Sequence, residues 1–258
     1  MSPLPGDHRV HVLVFDVNET LTDLSPLAGR LEEAGLPGHL LPAWFAGVLR
    51  DGVALTLAGG RAAFAAVARD GLRTLAAGTP GVGDPEQAAD HVLAALPTLP
   101  LHPDVPGGVR ALTAAGFRLV TLTNGSAGTT RAVLDRAGLT DCFEVHLDVE
   151  AAGRWKPARE AYAHALDAVG VPPDEAALVS VHPWDIDGAA RAGLATAWLR
   201  RTPRPYPATQ LPAALEATGV GDLATRLGAQ QRLVDEGEND DGENHDDSGQ
   251  GIWRPAPG

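Results

Sequence analysis

Residues 10–15, VHVLVF, are apolar at nearly every position rather than at every second one. A strand with one wet face alternates, so an unbroken apolar run predicts a parallel strand buried on both faces. A polar run, residues 16–22, follows at once. From Leu24 to Leu96 the pattern changes. Alanine and leucine dominate without a convincing strand, and breaks fall at Gly35-Leu36-Pro37, Gly59-Gly60 and residues 78–85. Three or four helices are predicted there. Strand-like segments return at 117–122, 143–147, 177–181 and 196–199, separated by helical stretches at 105–115, 127–137, 158–169 and 186–192. Strands alternating with helices predict an α/β fold with a doubly wound parallel sheet. The all-helical block falls between the first strand and the rest, as an insertion would.

Composition narrows the function classes. Hydrophobic residues make up 44% of the 258, as in a soluble globular protein. The net charge of −13 disfavours nucleic acid or an anionic membrane as a partner. Residues 234–258 hold eight acidic side chains and one arginine among few apolar ones, so this tail is expected to be disordered. The single cysteine, Cys142, can make no internal disulfide, and no Cys/His spacing suggests a metal site. The N-terminal residues carry no signal-peptide pattern, and no run of about 18 apolar residues suggests a membrane span. A cytoplasmic protein is expected. Of the 20 basic residues, Lys156 alone is lysine. Arginine replaces most surface lysines but cannot act as a compact amine, so a lone lysine is either a survivor of drift or a required amine.

In open α/β sheets, ligands bind beyond the carboxyl ends of the strands. The first strand ends in Asp16, Asn18 and Thr20, and the next in Thr123, Asn124, Gly125 and Ser126. The strand near residue 180 ends in Ser180, His182, Trp184, Asp185 and Asp187, while Lys156 precedes Pro157 and a helix. Any one of these groups alone would read as a turn or a helix cap. Together they gather an acid, a hydroxyl–amide pair, an amine and a second acid at one edge.

The segments VFDVNETL, LTNGS, WKP and VSVHPWDIDGA, in this order, resemble the haloacid dehalogenase superfamily, and within it the L-2-haloacid dehalogenase (type II) branch. The resemblance covers about residues 10–225. It implies a Rossmann-like core formed by residues 1–22 and 103–233, a helical cap at 23–102, and the tail at 234–258. It also implies that Asp16 is a nucleophile that forms a covalent ester. Lys156 would keep that carboxylate ionised, as an opposite charge within about 4–6 Å does. Thr20 would hydrogen-bond the nucleophile region. Thr123 and Asn124 would bind the substrate carboxylate or the ester oxygen, and Tyr162 would stand near the nucleophile. Ser180 and Asp185 would support the lysine and the hydrolytic water. No metal or other cofactor is implied, the partner is a small carboxylic-acid substrate, and a homodimer follows by analogy.

Three positions depart from the resembling enzymes. Asn18 stands where the superfamily's phosphatases carry a general acid and its dehalogenases a tyrosine. A halide needs no proton on leaving, so Asn18 is compatible with carbon–halogen cleavage and argues against an efficient phosphatase. Phe45 follows Trp44 where the dehalogenases carry a cap arginine. Arg50 lies on another helix face and is a poor substitute. His182 replaces an asparagine and could act as base or as neutral donor. Asn18, Trp44, Phe45 and His182 are therefore expected around the substrate. The expected reaction displaces halide from a small 2-haloacid to give a 2-hydroxy acid. Alternatives are another small carboxylic acid such as one with a strained ring, a weak phosphatase, and a non-catalytic binding protein.

Overall fold

The computed structural model describes residues 10–228. Residues 1–9 and 229–258, and with them the expected acidic tail, lie outside the described residues. Six parallel strands run β1 Val12–Phe15, β2 Arg118–Thr123, β3 Val145–Asp148, β4 Ala176–Ser180, β5 Ala195–Leu199 and β6 Leu215–Ala217, in the order β3-β2-β1-β4-β5-β6. All four residues of β1 are buried, which is why its sequence shows no alternation. The chain builds outward from β1 to β3 and then crosses back to β4 on the other side of β1. That reversal makes a crevice at the carboxyl end of β1. Phe15 pairs with Thr121 on one side and Val179 on the other, so the residues that follow all three strands emerge at one level.

Four helices separate β1 from the rest of the sheet: α1 Leu27–Glu33, α2 Leu41–Leu57, α3 Phe64–Ala77 and α4 Pro85–Leu93. Gly35 and Gly59 adopt positive φ where the glycine breaks predict turns. Asp84 caps α4 by accepting from the Glu86 amide at 2.9 Å. The stretch Gly38–Leu57 is by length and composition apolar enough to cross a bilayer. Its Trp44, Phe45 and Val48 are nevertheless buried in one apolar cluster with Phe64 and Leu72 of α3, as in a core helix.

Helices α5 Val105–Ala114, α6 Ala127–Arg136, α7 Arg159–Val169 and α8 Pro183–Ala192 fall between the strands, and a further helical run begins at residue 220, after β6. Two elements differ from expectation. Helix α8 begins three residues before 186, because Pro183 supplies a preset φ at the first helical position, where its missing N–H costs nothing. Strand β6 has only three residues, LEA, with Glu216 exposed, which is too short for any periodicity to register.

Candidate active site

Asp16 continues the ladder past β1, its amide donating to Val179 O at 3.0 Å, and its side chain enters the crevice almost fully buried. Lys156 reaches it from the loop before α7. Its Nζ lies 2.9 Å from Asp16 Oδ1 and 2.7 Å from Asp185 Oδ2, and the whole side chain is 0% exposed. One ammonium therefore bridges two buried carboxylates. Tyr162 closes the far side, its hydroxyl donating to Asp185 Oδ1 at 2.7 Å. Thr20 Oγ1 donates to Asp16 Oδ2 at 2.6 Å and accepts from the Val181 amide at 3.1 Å. Both oxygens of the expected nucleophile are thus oriented by named donors.

The lysine loop is fixed from two directions. On the core side, Asn124 Oδ1 accepts from the Lys156 amide at 2.8 Å and Asn124 Nδ2 donates to Lys156 O at 3.3 Å. On the helical side, the Trp155 amide donates to Thr56 Oγ1 at 3.2 Å, and its indole N–H donates to Ala62 O at 2.9 Å. Arg154 Nη1 also donates to Thr56 O, at 2.5 Å. The Trp155 ring stacks on Phe64 at 5.9 Å.

The expected site residues are brought together unequally. Asp16, Thr20, Lys156, Tyr162 and Asp185 form one connected network. Asn124 reaches the site, but its amide holds the lysine loop in the position where a substrate contact was expected. Thr123 Oγ1 accepts from the Gly125 amide at 2.9 Å and lines a small cavity of about 80 Å³ with Asn18, Phe64 and Ser126. Ser180 accepts from the His182 amide at 3.1 Å and touches neither Lys156 nor Asp16 by hydrogen bond. Its hydroxyl shapes the turn into α8. Trp44 is not at the crevice: its indole donates to Ala68 O at 3.1 Å and packs within the helical insertion, because α2 turns this face toward α3. Phe45, one residue on, does face the core, with its ring 6.4 Å from His182. Arg50 pairs with Asp51 at 2.8 Å in solvent. Asp187 pairs with Arg191 and accepts from the Leu211 amide, a structural part rather than a helix cap.

Two residues at the crevice carried no sequence signal. Arg201, from the loop after β5, donates to Thr20 O at 2.8 Å and pairs with Asp104 at 2.7 Å. Glu19 is the one non-glycine residue with positive φ (62°) among those described. It lies beside His182, whose Nε2 is 3.1 Å from Asn18 O, 3.6 Å from Asp16 Oδ2 and 3.8 Å from Glu19 Oε2.

The two acids bridged by Lys156 are driven apart. Burial pushes the Asp16 carboxyl up, but the charges of Lys156 and His182 and the Thr20 hydrogen bond outweigh it, leaving Asp16 below its ordinary value. For Asp185, burial and repulsion from Asp16 prevail over Lys156 and Tyr162, so it lies above its ordinary value. Burial lowers Lys156, yet the two carboxylates reverse that and hold it above the usual lysine value. Burial and the adjoining Asp185 push Tyr162 well above the usual phenol value, so it remains a donor. A divalent cation, as superfamily phosphatases would need here, does not fit this donor set. Lys156 and Tyr162 engage both oxygens of Asp185, and Asn18 offers no carboxylate.

A parallel α/β core under a helical insertion, with a carboxylate–lysine–carboxylate chain at its strand ends, is the architecture of an α/β hydrolytic enzyme. The chain belongs to the haloacid dehalogenase-like hydrolase family, whose model matches residues 10–193. It is 29% identical to an (S)-2-haloacid dehalogenase of Xanthobacter autotrophicus over 194 residues, 74% of this chain and 76% of that enzyme. It is 36% identical to haloacetate dehalogenase H-2 of Moraxella sp. (strain B) over 99 residues, 38% of this chain and 44% of that enzyme. The chain thus spans less than half the length of the Moraxella relative. The solved L-2-haloacid dehalogenase of Xanthobacter autotrophicus superposes with a TM-score of 0.78 at 24% identity, over 84% of this chain and 98% of that one, a likeness of fold.

Proposed function

We propose that this chain displaces halide from the α-carbon of a small 2-haloacid, with Asp16 as nucleophile, and hydrolyses the resulting ester to a 2-hydroxy acid. The observation that carries this reading is the fully buried Lys156 ammonium bridging Asp16 and Asp185. A carboxylate is a weak nucleophile, and here it is kept ionised, dry and aimed. Displacement forms a bond from an Asp16 oxygen to the α-carbon as the halide departs with its electron pair. Water then adds at the Asp16 carboxyl carbon, where Lys156 stabilises the oxyanion. The two relatives described above, a haloacetate dehalogenase and an (S)-2-haloacid dehalogenase by name, support the same reading.

The test is chloride release from (S)-2-chloropropionate, with a single turnover in ¹⁸O-water. The label is expected in the Asp16 peptide and not in the first product molecule; label in that product would mean direct attack by water. Asp16→Asn is expected to lower turnover by at least about 10³-fold, read by the same chloride assay.

The pH profile follows from the opposed acids. As pH falls, Asp185 takes a proton before Asp16 and loosens the lysine. The acid limb of kcat is therefore expected above the ordinary aspartate value of about 3.9. A limb at or below that value would assign it to Asp16 instead.

A further inference from the structure

The geometry around His182 points to a second activity at the same site. We propose that His182, held by Glu19, protonates the leaving atom, and that the site opens small α,β-epoxy carboxylates to dihydroxy acids as well as displacing halide. This rests on Asp16 being the nucleophile.

A halide leaves without a proton, so a dehalogenase has no use for an acid beside its nucleophile. This chain has placed one there. His182 Nε2 faces three oxygens, those of Asn18 O, Asp16 Oδ2 and Glu19 Oε2, at 3.1, 3.6 and 3.8 Å. All three accept, so each favours a hydrogen on that nitrogen. The ring is fixed by stacking on Trp184 at 5.1 Å and by Phe45 at 6.4 Å. Arg204, which donates to Val181 O, and Lys156, through Asp16, are the cations nearby.

Glu19 supplies the second observation. A glutamate at φ 62° is a strained conformation that glycine would adopt freely. Such strain persists where surrounding structure imposes it, and it clusters at working sites. Here it aims a carboxylate at His182. The Glu19 side chain is 47% exposed, against 9% for His182, so the carboxylate stands between the imidazole and solvent. Glu19, Phe45, Arg201 and Arg204 also line a cavity of about 290 Å³ between core and helical insertion, which gives Glu19 access to solvent protons.

The distances allow proton delivery. A reacting carbon lies about 3–3.5 Å from the attacking oxygen. A carbon–oxygen bond of about 1.5 Å beyond it puts the leaving atom about 4.5–5 Å away. A nitrogen 3.6 Å from the same carboxylate oxygen can meet that atom at about 3 Å. An epoxide oxygen, unlike a ring amine, is not already protonated in water, so it benefits from such a donor. Asp16 attacks C2, the C2–O bond breaks, and its electron pair takes the proton from His182 Nε2. Water then cleaves the ester at the Asp16 carboxyl carbon, and the proton it releases returns to His182. The sum is epoxy acid plus water to vicinal diol acid.

The experiment runs oxirane-2-carboxylate and (S)-2-chloropropionate in parallel and takes the ratio of glycerate formed to chloride released. The wild-type protein is expected to form glycerate inverted at C2. His182→Asn is expected to lower the ratio about 100-fold. Glu19 acts through His182 as a positioning residue, and Glu19→Gln should lower the ratio several-fold. Glu19→Gly should lower it too while raising Tm by about 2–4 °C as the strain is relieved. The two Glu19 variants carry the test if His182→Asn does not fold. Chloride release without glycerate, or an equal loss of both products in the variants, overturns the proposal and leaves the nucleophile reading intact. If neither acid forms an ester on Asp16, both fall together.

Discussion

Lys156→Arg is expected to abolish turnover, by at least about 10³-fold, although it keeps the charge. The Lys156 amine is a single point 2.9 Å from one carboxylate oxygen and 2.7 Å from another, with no solvent exposure. A guanidinium is wide, planar and longer. It cannot enter a space sized for one nitrogen while Asn124 fixes the backbone behind it from both sides. The planar group would displace Asp16 or Asp185, and a misplacement of about 1 Å can cost about 10²-fold in rate on its own. Overpacking should also lower stability by about 1–3 kcal/mol. Lys156→Ala is expected to lower it further, by about 3–5 kcal/mol, because it leaves two buried carboxylates with no cation. Chloride-release kinetics and urea unfolding read both effects. A near-wild-type rate for Lys156→Arg would show that charge alone suffices.

Gly188→Ala is expected to destabilise the protein by about 1–3 kcal/mol and to lower kcat at least tenfold. The sign is the informative part. Alanine in place of glycine inside a helix ordinarily stabilises by about 1 kcal/mol. At Gly188 in α8, however, an added Cβ would lie 2.5 Å from Pro157 Cβ, 2.7 Å from the Tyr162 hydroxyl and 3.0 Å from Pro157 O. Those atoms are backbone, ring and a hydrogen-bonded hydroxyl, and none can move without shifting the lysine loop or breaking the bond to Asp185. Gly29→Ala in α1 is the control: nothing lies within 4 Å of the added carbon, so it should be neutral or stabilising. Thermal unfolding of the two variants separates steric intrusion from helix propensity. Equal behaviour at both positions would argue against the close approach.

Much of this site was legible in the chain because it lies at strand ends, where apolar runs stop and polar residues begin. VHVLVF stops at Asp16 and ALVSV stops just before His182. Lys156 stood out by rarity alone. What sequence could not show was partnership. Arg201 is one of 19 arginines, and nothing along the chain says that it crosses to Thr20 O. Asn124 was legible as a site residue, but its amide turns to the lysine backbone, a choice made by the distance between two loops. Trp44 and Phe45 were indistinguishable as neighbouring aromatics. The 100° step of a helix sends one into the insertion and the other toward His182. Glu19 reads as an ordinary turn acid until its φ is known.

The three residues Arg154, Trp155 and Lys156 join two parts of the molecule in one short span. Arg154 and Trp155 are bonded to Thr56 and Ala62 of the helical insertion, while Lys156 is bonded to Asp16 and Asp185 of the core. The insertion cannot swing away from the crevice without either rupturing those ties or dragging the backbone that carries the ammonium. Admission of solvent and disarming of the proposed nucleophile are therefore geared together: a gaping crevice is also one whose carboxylate has lost its counter-ion. Such a linkage works as a safety catch: Asp16 keeps its counter-ion only while the insertion is closed over it and bulk water is kept out.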